Sequence, residues 1–276
     1  MTCANNLIIL ITGGARGLGK EMAFQLGTAG GKIVIWDIDK DALSQTAEEF
    51  REHNITIHTA VCDVTQINLV EQEAAKLIEQ HGQLDILINN AGVVSGKPFW
   101  ETPDDLLRKS VAVNLEALFW VTGAFLPGMI QRNQGHVVTI SSAAGLIGTP
   151  MLTDYSATKA AAFGFDESLR MEFRKRKIDI KTTAVCPYFI NTGMFVGVRT
   201  RFPWLLPILD ERKVAEKIVT AIEKNRHRVL IPKIVYIVWL LRYLPVRWFD
   251  GIAAFLGLSS TMDNFTGRTY NSSQGD

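Results

Sequence analysis

Cysteine is scarce in this chain, and so is net charge. Three cysteines occur, Cys3, Cys62 and Cys186. They are odd in number and widely spaced, with no CxxC pair and no Cys/His cluster at metal-ligand spacing. A disulfide scaffold and a zinc site are thereby argued against, no metal is expected, and the thiols read as reduced, in a reducing compartment. Cys62 and Cys186 lie in apolar runs, which suits packing better than nucleophilic chemistry. Lys and Arg number 29 against 28 Asp and Glu, a net charge of +1, so no nucleic-acid partner is expected. Only a few residues precede the first apolar run, so no signal peptide or N-terminal anchor is expected. Asn54-Ile55-Thr56, Asn264-Phe265-Thr266 and Asn271-Ser272-Ser273 match the glycosylation pattern. With no route to the secretory lumen they read as chance matches.

What is present is an ordinary globular composition, 47% hydrophobic and 21% charged over 276 residues, enough for one large domain or two small ones. Leu7–Ile11 is a continuous apolar run, the mark of a strand buried on both faces. It leads into Thr12-Gly13-Gly14-Ala15-Arg16-Gly17-Leu18-Gly19-Lys20, and a helix is predicted over Gly19–Thr28. Strand, glycine turn and helix in that order can hold a pyrophosphate, because the backbone comes close and the helix N-terminus offers free N–H groups. A second strand, Lys32–Trp36, ends at Asp37. An acid placed there accepts from ribose hydroxyls and repels a 2′-phosphate, which favours NAD over NADP. Arg16 pulls weakly the other way.

Further strands are predicted at Ile55–Val61, ending near Asp63, at Leu84–Ile88, ending in Asn89-Asn90-Ala91-Gly92, at His136–Ile140, ending in Ser141-Ser142, and at Ile178–Val185, ending at Cys186-Pro187. Helices are predicted over 66–81 and 103–131, the latter with Asn114 inside it, where an amide needs a partner. Another runs over Tyr155–Glu172 and sets Tyr155 and Lys159 one turn apart on one face. Free tyrosine titrates near about 10, and a nearby ammonium favours the phenolate, so the pair is suited to proton transfer. Alternating strands and helices predict an α/β fold: a parallel, doubly wound sheet of about seven strands with helices on both faces. Gly13, Asp37, Asp63, Asn90, Ser142 and Pro187 all follow strand ends, where such sheets bind ligands.

With those residues in place, 5–200 resembles the short-chain dehydrogenase/reductase family. The resemblance rests on Thr12-Gly13-x-x-x-Gly17-x-Gly19, Asn89-Asn90-Ala91-Gly92, Asn114, Ser142 and Tyr155-x-x-x-Lys159. It implies a Rossmann-type domain, with Tyr155 as general acid/base, Lys159 as its pKa tuner, Ser142 holding the substrate oxygen, and Asn114 positioning a water in a proton relay. Thr12, Gly13, Arg16, Gly17, Leu18 and Gly19 would cradle the cofactor phosphates, with Asp37 at the ribose and Asp63 and Val64 at the adenine. Asn90, Ala91 and Gly92 would line its middle, and Tyr155, Lys159, Pro187, Ile190 and Thr192 its nicotinamide end. The family's Pro-Gly after the sixth strand is here Pro187-Tyr188, which puts Tyr188, with Met194 and Phe195, at the substrate beside Ser142 and Tyr155. A narrower resemblance, carried by Trp36-Asp37-Ile38, Lys181–Pro187, Thr192-Gly193-Met194-Phe195 and Arg201-Phe202-Pro203, is to epidermal-type retinol dehydrogenases and lipid-droplet 17-beta-hydroxysteroid dehydrogenases. Members of that subgroup usually begin with a hydrophobic anchor, which these residues lack.

The last third divides less sharply. Residues 194–209, rich in Phe, Trp, Leu and Pro, are expected to close over an apolar substrate. An amphipathic helix is predicted over 210–224 and a seventh strand at Val229–Ile231. Residues 1–232 then form the catalytic domain, with 194–224 as its lid region. Residues 233–258 form a hydrophobic helical segment whose aromatics and Arg242 and Arg247 suit a membrane interface. Its run Ile234–Leu241 is far short of the roughly 20 residues that cross a bilayer. Buried packing, or a dimer contact, is the competing reading. Residues 259–276 read as a loose polar tail. The resemblance further implies a homodimer through the long helices, and a place on the endoplasmic reticulum or a lipid droplet facing the cytosol, or else in the cytoplasm. The function expected is NAD-dependent interconversion of a lipophilic alcohol, retinol first, and its aldehyde or ketone. The alternatives are reduction of another hydrophobic carbonyl or a hydroxysteroid, and a catalytically silent nucleotide-binding scaffold on lipid.

Overall fold

A computed structural model of the chain describes residues 4–267. Seven parallel strands form one sheet in the order β3-β2-β1-β4-β5-β6-β7. They are β1 Ile8–Thr12, β2 Lys32–Asp37, β3 Ile57–Val61, β4 Ile86–Asn89, β5 Gly135–Ile140, β6 Ile180–Pro187 and β7 Arg228–Ile231. The helices are α1 Gly17–Thr28, α2 Lys40–Glu52, α3 Ile67–His81, α4 Asp104–Val111, α5 Ala117–Arg132, α6 Ala143–Leu146, α7 Thr153–Arg176, α8 Glu211–Glu223, α9 Ile234–Leu241 and α10 Val246–Phe255.

Alternation along each strand explains why both faces are covered. Ile9 and Ile11 of β1 point into a core shared with Met22 and Leu26 of α1 and with Ile218 and Ile222 of α8. Ile8 and Leu10 point the other way, into a core shared with Val70 and Leu77 of α3 and with Val121 and Phe125 of α5. Strand order reverses between β1 and β4, and the crevice of such a sheet opens there. Thr12 and Asn90 tie the two strand ends: the Thr12 hydroxyl accepts from the Asn90 and Ala91 amides, and Asn90 Nδ2 donates to the Thr12 and Gly13 carbonyls.

Several boundaries move from the sequence reading. Helix α1 begins at Gly17, so Gly17 and Gly19 lie in its first turn. The fourth strand starts two residues later than predicted, and α7 extends in both directions. The helix expected over 103–131 holds a π segment, Ala112–Glu116, between α4 and α5. Asn114 lies in it, with the partners that its position demands. Its Nδ2 donates to the Val93 carbonyl at 3.0 Å and its Oδ1 accepts from the Val93 amide at 2.8 Å. The stretch Asp104–Arg132 is long and apolar enough to cross a membrane by length and composition, yet Val121, Phe125 and Met129 pack it on the sheet.

The tail reading needs correction. Thr261 and Met262 are buried, and Thr266 donates its amide to the Val196 carbonyl at 3.0 Å. Residues 259–267 therefore fold back onto the lid region instead of hanging loose. The rest of the predicted tail, 268–276, lies outside the described residues, as does Cys3. After β6 the chain leaves the sheet and returns through a parallel bridge between Ile190 and Leu209. Helix α9 turns Val235 and Val238 inward and leaves Ile237 and Leu240 exposed, while α10 buries nothing fully.

Candidate active site

The floor of the site is the glycine turn. Gly13 has φ +62°, and a Cβ there would stand 2.8 Å from the Ala91 Cα. A Cβ on Gly19 would meet the Gly13 carbonyl oxygen at 2.4 Å and Asn90 Nδ2 at 2.6 Å. Only glycine lets β1, α1 and the Asn90 loop come this close. The α1 N-terminus has no side-chain cap and no acid in its first turn, so its amides are available to an anion. Thr192 crosses in front of Gly17.

Asp37 stands at the end of β2. Its carboxylate accepts from the Ala15 and Asp39 amides, both at 3.1 Å, which fixes it at the rim. Arg16 is paired with Asp39 at 2.6 Å and not with Asp37. Burial alone would raise the Asp63 carboxyl, but hydrogen bonds from Thr65 and Gln66, helped by the Lys109 charge, hold it below its ordinary value.

The reactive end lies at the carboxyl ends of β5 and β6. Ser142 caps α6: its hydroxyl accepts from the Ala144 amide at 3.1 Å and donates to the Pro187 carbonyl at 3.5 Å. Tyr155 and Lys159 sit on the buried face of α7. Lys159 Nζ donates to the Ile140 carbonyl at 2.8 Å and lies 5.7 Å from the centre of the Tyr155 ring. Gly92 lies between Lys159 Nζ and Asn114 Oδ1. The Asn114 amide is fully engaged by Val93, Ser110 and Thr158.

Burial sets the electrostatics of the pair. Burial pushes the Tyr155 phenol up to about 12, although the Ser142 hydroxyl beside it pulls the other way. Burial pulls Lys159 down to about 8. Both groups are desolvated, and Lys159 is turned toward a carbonyl.

These parts line one cavity of about 850 Å³. It takes in the expected Gly13, Arg16, Gly17, Leu18, Gly19, Asp37, Asp63, Val64, Asn90, Ala91, Gly92, Ser142, Tyr155, Lys159, Pro187, Tyr188, Ile190, Thr192, Met194 and Phe195. Thr12 and Asn114 lie just behind its wall. Its far end includes Leu206 of the expected 194–209 segment, and sequence reasoning missed the rest of it, Ile147, Leu152, Phe189, Val235, Val238 and Leu258. It also missed Arg108 and Lys109 near Asp63. The signal for Val235 and Val238 was there, an i, i+3 pair in the helix after β7, but nothing local shows what a helix face covers. Tyr188 is buried, its ring edge-on to Phe189 at 4.8 Å, and its hydroxyl has no partner among the described residues.

The pattern of the family described as short chain dehydrogenase matches residues 7–201. Human epidermal retinol dehydrogenase 2 is 45% identical over 261 residues, covering 94% of this chain and 84% of that protein. Estradiol 17-beta-dehydrogenase 11 of Pongo abelii is 37% identical over 243 residues, covering 87% and 80%. A short-chain dehydrogenase/reductase from Burkholderia phymatum in complex with NAD superposes with a TM-score of 0.81 at 25% identity, over 90% of this chain and 96% of that one. A variant actinorhodin polyketide ketoreductase with NADPH superposes at 0.77 and 27% identity, over 85% and 99%.

Proposed function

The chain belongs to the short-chain dehydrogenase family of oxidoreductases, and on that premise we propose that it interconverts a lipophilic alcohol and its carbonyl with NAD as cofactor. The observation that carries the reading is the meeting of Ser142, Tyr155 and Lys159 between a nucleotide-sized crevice and an apolar chamber. The residues fit the dinucleotide: an uncapped helix N-terminus suits its pyrophosphate, and a fixed carboxylate suits a ribose diol. Asp37 would repel a 2′-phosphate, and Asp39 already holds Arg16, which supports NAD over NADP.

A nicotinamide held beside Tyr155, Lys159, Ile190 and Thr192 would supply the hydride acceptor for oxidation and the hydride donor for reduction. Tyr155 removes the alcohol proton in oxidation and supplies it in reduction. Ser142 donates a hydrogen bond to the substrate oxygen. Lys159 favours the phenolate once it turns from the Ile140 carbonyl toward the ring. Asn114 holds the Val93 backbone beside Gly92 and so shapes the wall behind Lys159. The chamber beyond Tyr155, with Phe189, Phe195, Leu206, Val235, Val238 and Leu258, excludes water and suits a retinoid; retinol is the first substrate to try. A steroid is the second, on the strength of the estradiol dehydrogenase relative.

The same reading extends to surroundings. Trp204, Leu240, Tyr243, Val246, Trp248 and Phe255 are exposed, and Arg201, Arg242 and Arg247 are interspersed among them, a pattern suited to a membrane or lipid-droplet surface. Phe119 and Ile130 of α5 and Met171 of α7 are exposed and suit a homodimer. Replacing Trp248 and Phe255 by glutamate should abolish liposome flotation, and sedimentation should give twice the monomer mass. The central test is nicotinamide absorbance with purified protein and all-trans-retinol, with NAD and NADP compared and Tyr155→Phe alongside. Turnover with NAD that vanishes in Tyr155→Phe is expected; turnover that survives in Tyr155→Phe overturns the assignment.

A further inference from the structure

Helix α7 presents one buried face to the sheet. Tyr155, Lys159, Ala162, Asp166, Leu169 and Phe173 follow one another along it. A carboxylate in such a row is out of place, since the positions after it are apolar and the sheet opposite is close-packed. Asp166 is 1% exposed. Across from it stand Thr139 of β5 and Thr182 of β6, whose hydroxyls lie near enough to hold its carboxyl down against burial. Yet Asp166 Oδ1, Thr139 Oγ1 and Thr182 Oγ1 are all buried and, among the described residues, none completes a hydrogen bond of full geometry, although the two hydroxyls stand close to the carboxyl. Three unpartnered polar atoms facing one another in a core call for a physical reason.

A second observation supplies one. A small space of about 20 Å³ is lined by Lys159 and Thr139 together with Thr12, Asn89, Asn114 and Ala162. That is room for one water molecule, and the walls offer it polar partners. Thr139 therefore lines this space and also acts on Asp166, and Lys159 lines the same space.

We propose that Asp166 is a proton-holding member of the reaction's relay, reached from Lys159 through one water in that space and the hydroxyl of Thr139. The proposal rests on the reading of Tyr155 and Lys159 given above. In alcohol oxidation the substrate O–H bond breaks and Tyr155 takes the proton. Lys159 passes a proton to the water as it receives one from the tyrosine side. The water donates to Thr139, and Thr139 donates to the Asp166 carboxylate. Hydride leaves the carbinol carbon with the electron pair, so Asp166 stores only a proton. It returns that proton by the same chain when product leaves and the cavity refills with water. Thr182 holds the second side of the carboxyl. Asp166 is thus a positioning and proton-storing residue that touches neither substrate nor cofactor.

The charged groups around Asp166 fit this use. Arg170 on its own helix lowers its carboxyl and Glu167 raises it, and Cys186 of β6 lies near enough to feel its charge. Arg228 of β7 is paired with Glu167, and Arg170 lies 4.0 Å from the same Glu167 carboxylate, so both cations are shared with a second acid. Burial dominates and brings its carboxyl up to about 7, where it gains and loses a proton within the working range.

Two variants and two readouts test this. Asp166→Asn keeps shape and removes the proton store; Thr139→Val breaks the link and leaves Asp166 in place. Each should lower kcat for alcohol oxidation about ten-fold with KM unchanged, and each should remove the fall in kcat on acidification through neutrality. Independently of turnover, infrared spectroscopy of the protein alone should show a buried protonated carboxyl that disappears in Asp166→Asn. Its titration midpoint should move in Lys159→Met. Wild-type kcat and pH profile in both variants would overturn the relay, as would a carboxyl band indifferent to Lys159→Met. Loss of the Tyr155→Phe phenotype would instead overturn the catalytic assignment on which the relay depends, so the two failures are distinguishable.

Discussion

The guanidinium of Arg242 donates to the carbonyl of Leu146 across 2.8 Å. Arg242 ends α9, and Leu146 ends α6, whose N-cap is Ser142. One bond thus joins the helix that walls the apolar chamber to the helix that carries the candidate substrate-oxygen donor. Arg242→Ala should free the end of α9 and raise KM for a bulky apolar substrate about five- to ten-fold, a loss on the scale of one hydrogen bond. NAD affinity should stay unchanged. Steady-state kinetics beside a fluorescence titration of NAD checks the split, and a matching loss of NAD affinity would argue against it.

On the NAD reading proposed above, the Arg16–Asp39 pair withholds a cation from the nucleotide. Asp39→Asn leaves the α2 cap usable, because asparagine also accepts from the Ala42 amide, but it releases Arg16. NADP should then bind about ten-fold more tightly, through a charge-assisted contact to its 2′-phosphate, with NAD nearly unaffected. Equal NADP affinity in both proteins would mean that Asp37 alone decides.

A methyl group is enough to disturb the reactive end. A Cβ on Gly145 would stand 2.6 Å from the Lys159 carbonyl carbon. The obstacle is backbone, which cannot swing aside, so Gly145→Ala must push α6 off α7. The expected cost is roughly 1–3 kcal/mol of stability, and kcat should fall because Ser142 moves relative to Tyr155. Urea unfolding and single-turnover kinetics measure the two parts.

Stability should carry the mark of Asp166. Its carboxyl is raised from 3.8 to about 7. The folded state then holds this proton more tightly than the unfolded chain. The associated stability is full below the unfolded value and is lost as pH rises through the folded one. Wild type should lose on the order of 3 kcal/mol between pH 4 and pH 8 on this account, and Asp166→Asn should lose less by that amount. Unfolding curves at both pH values decide it; identical pH dependence in the two proteins would sink the prediction.

Chemistry that sits at strand ends was readable from the chain alone. Asp37, Asn90, Ser142 and Pro187 each follow an apolar run, and in a parallel sheet such runs end on one edge. Tyr155 and Lys159 were readable because i, i+4 spacing fixes a shared face before any packing is known. What could not be read depends on distant contacts. Nothing near Arg16 shows that Asp39 takes it, and nothing near Lys159 shows that the Ile140 carbonyl does. Composition made 259–276 read as polar and loose, yet Met262 within it is buried in the core that also holds Val198 and Leu206. The chamber wall formed by Val235, Val238 and Leu258 likewise comes from residues far along the chain.

Just past β6 the chain sets out at Ile190 and comes back to the same spot at Leu209, where Leu209 donates its amide to the Phe189 carbonyl and Asn191 donates to the Leu209 carbonyl. The detour between them is tied at its neck. Loop closure costs grow only with the logarithm of length, so residues could be added to or removed from the detour while β6 and β7 keep their register. A lineage could therefore revise what its enzyme grips by rewriting one tied-off passage beyond Thr192, and inherit most of the nucleotide half untouched.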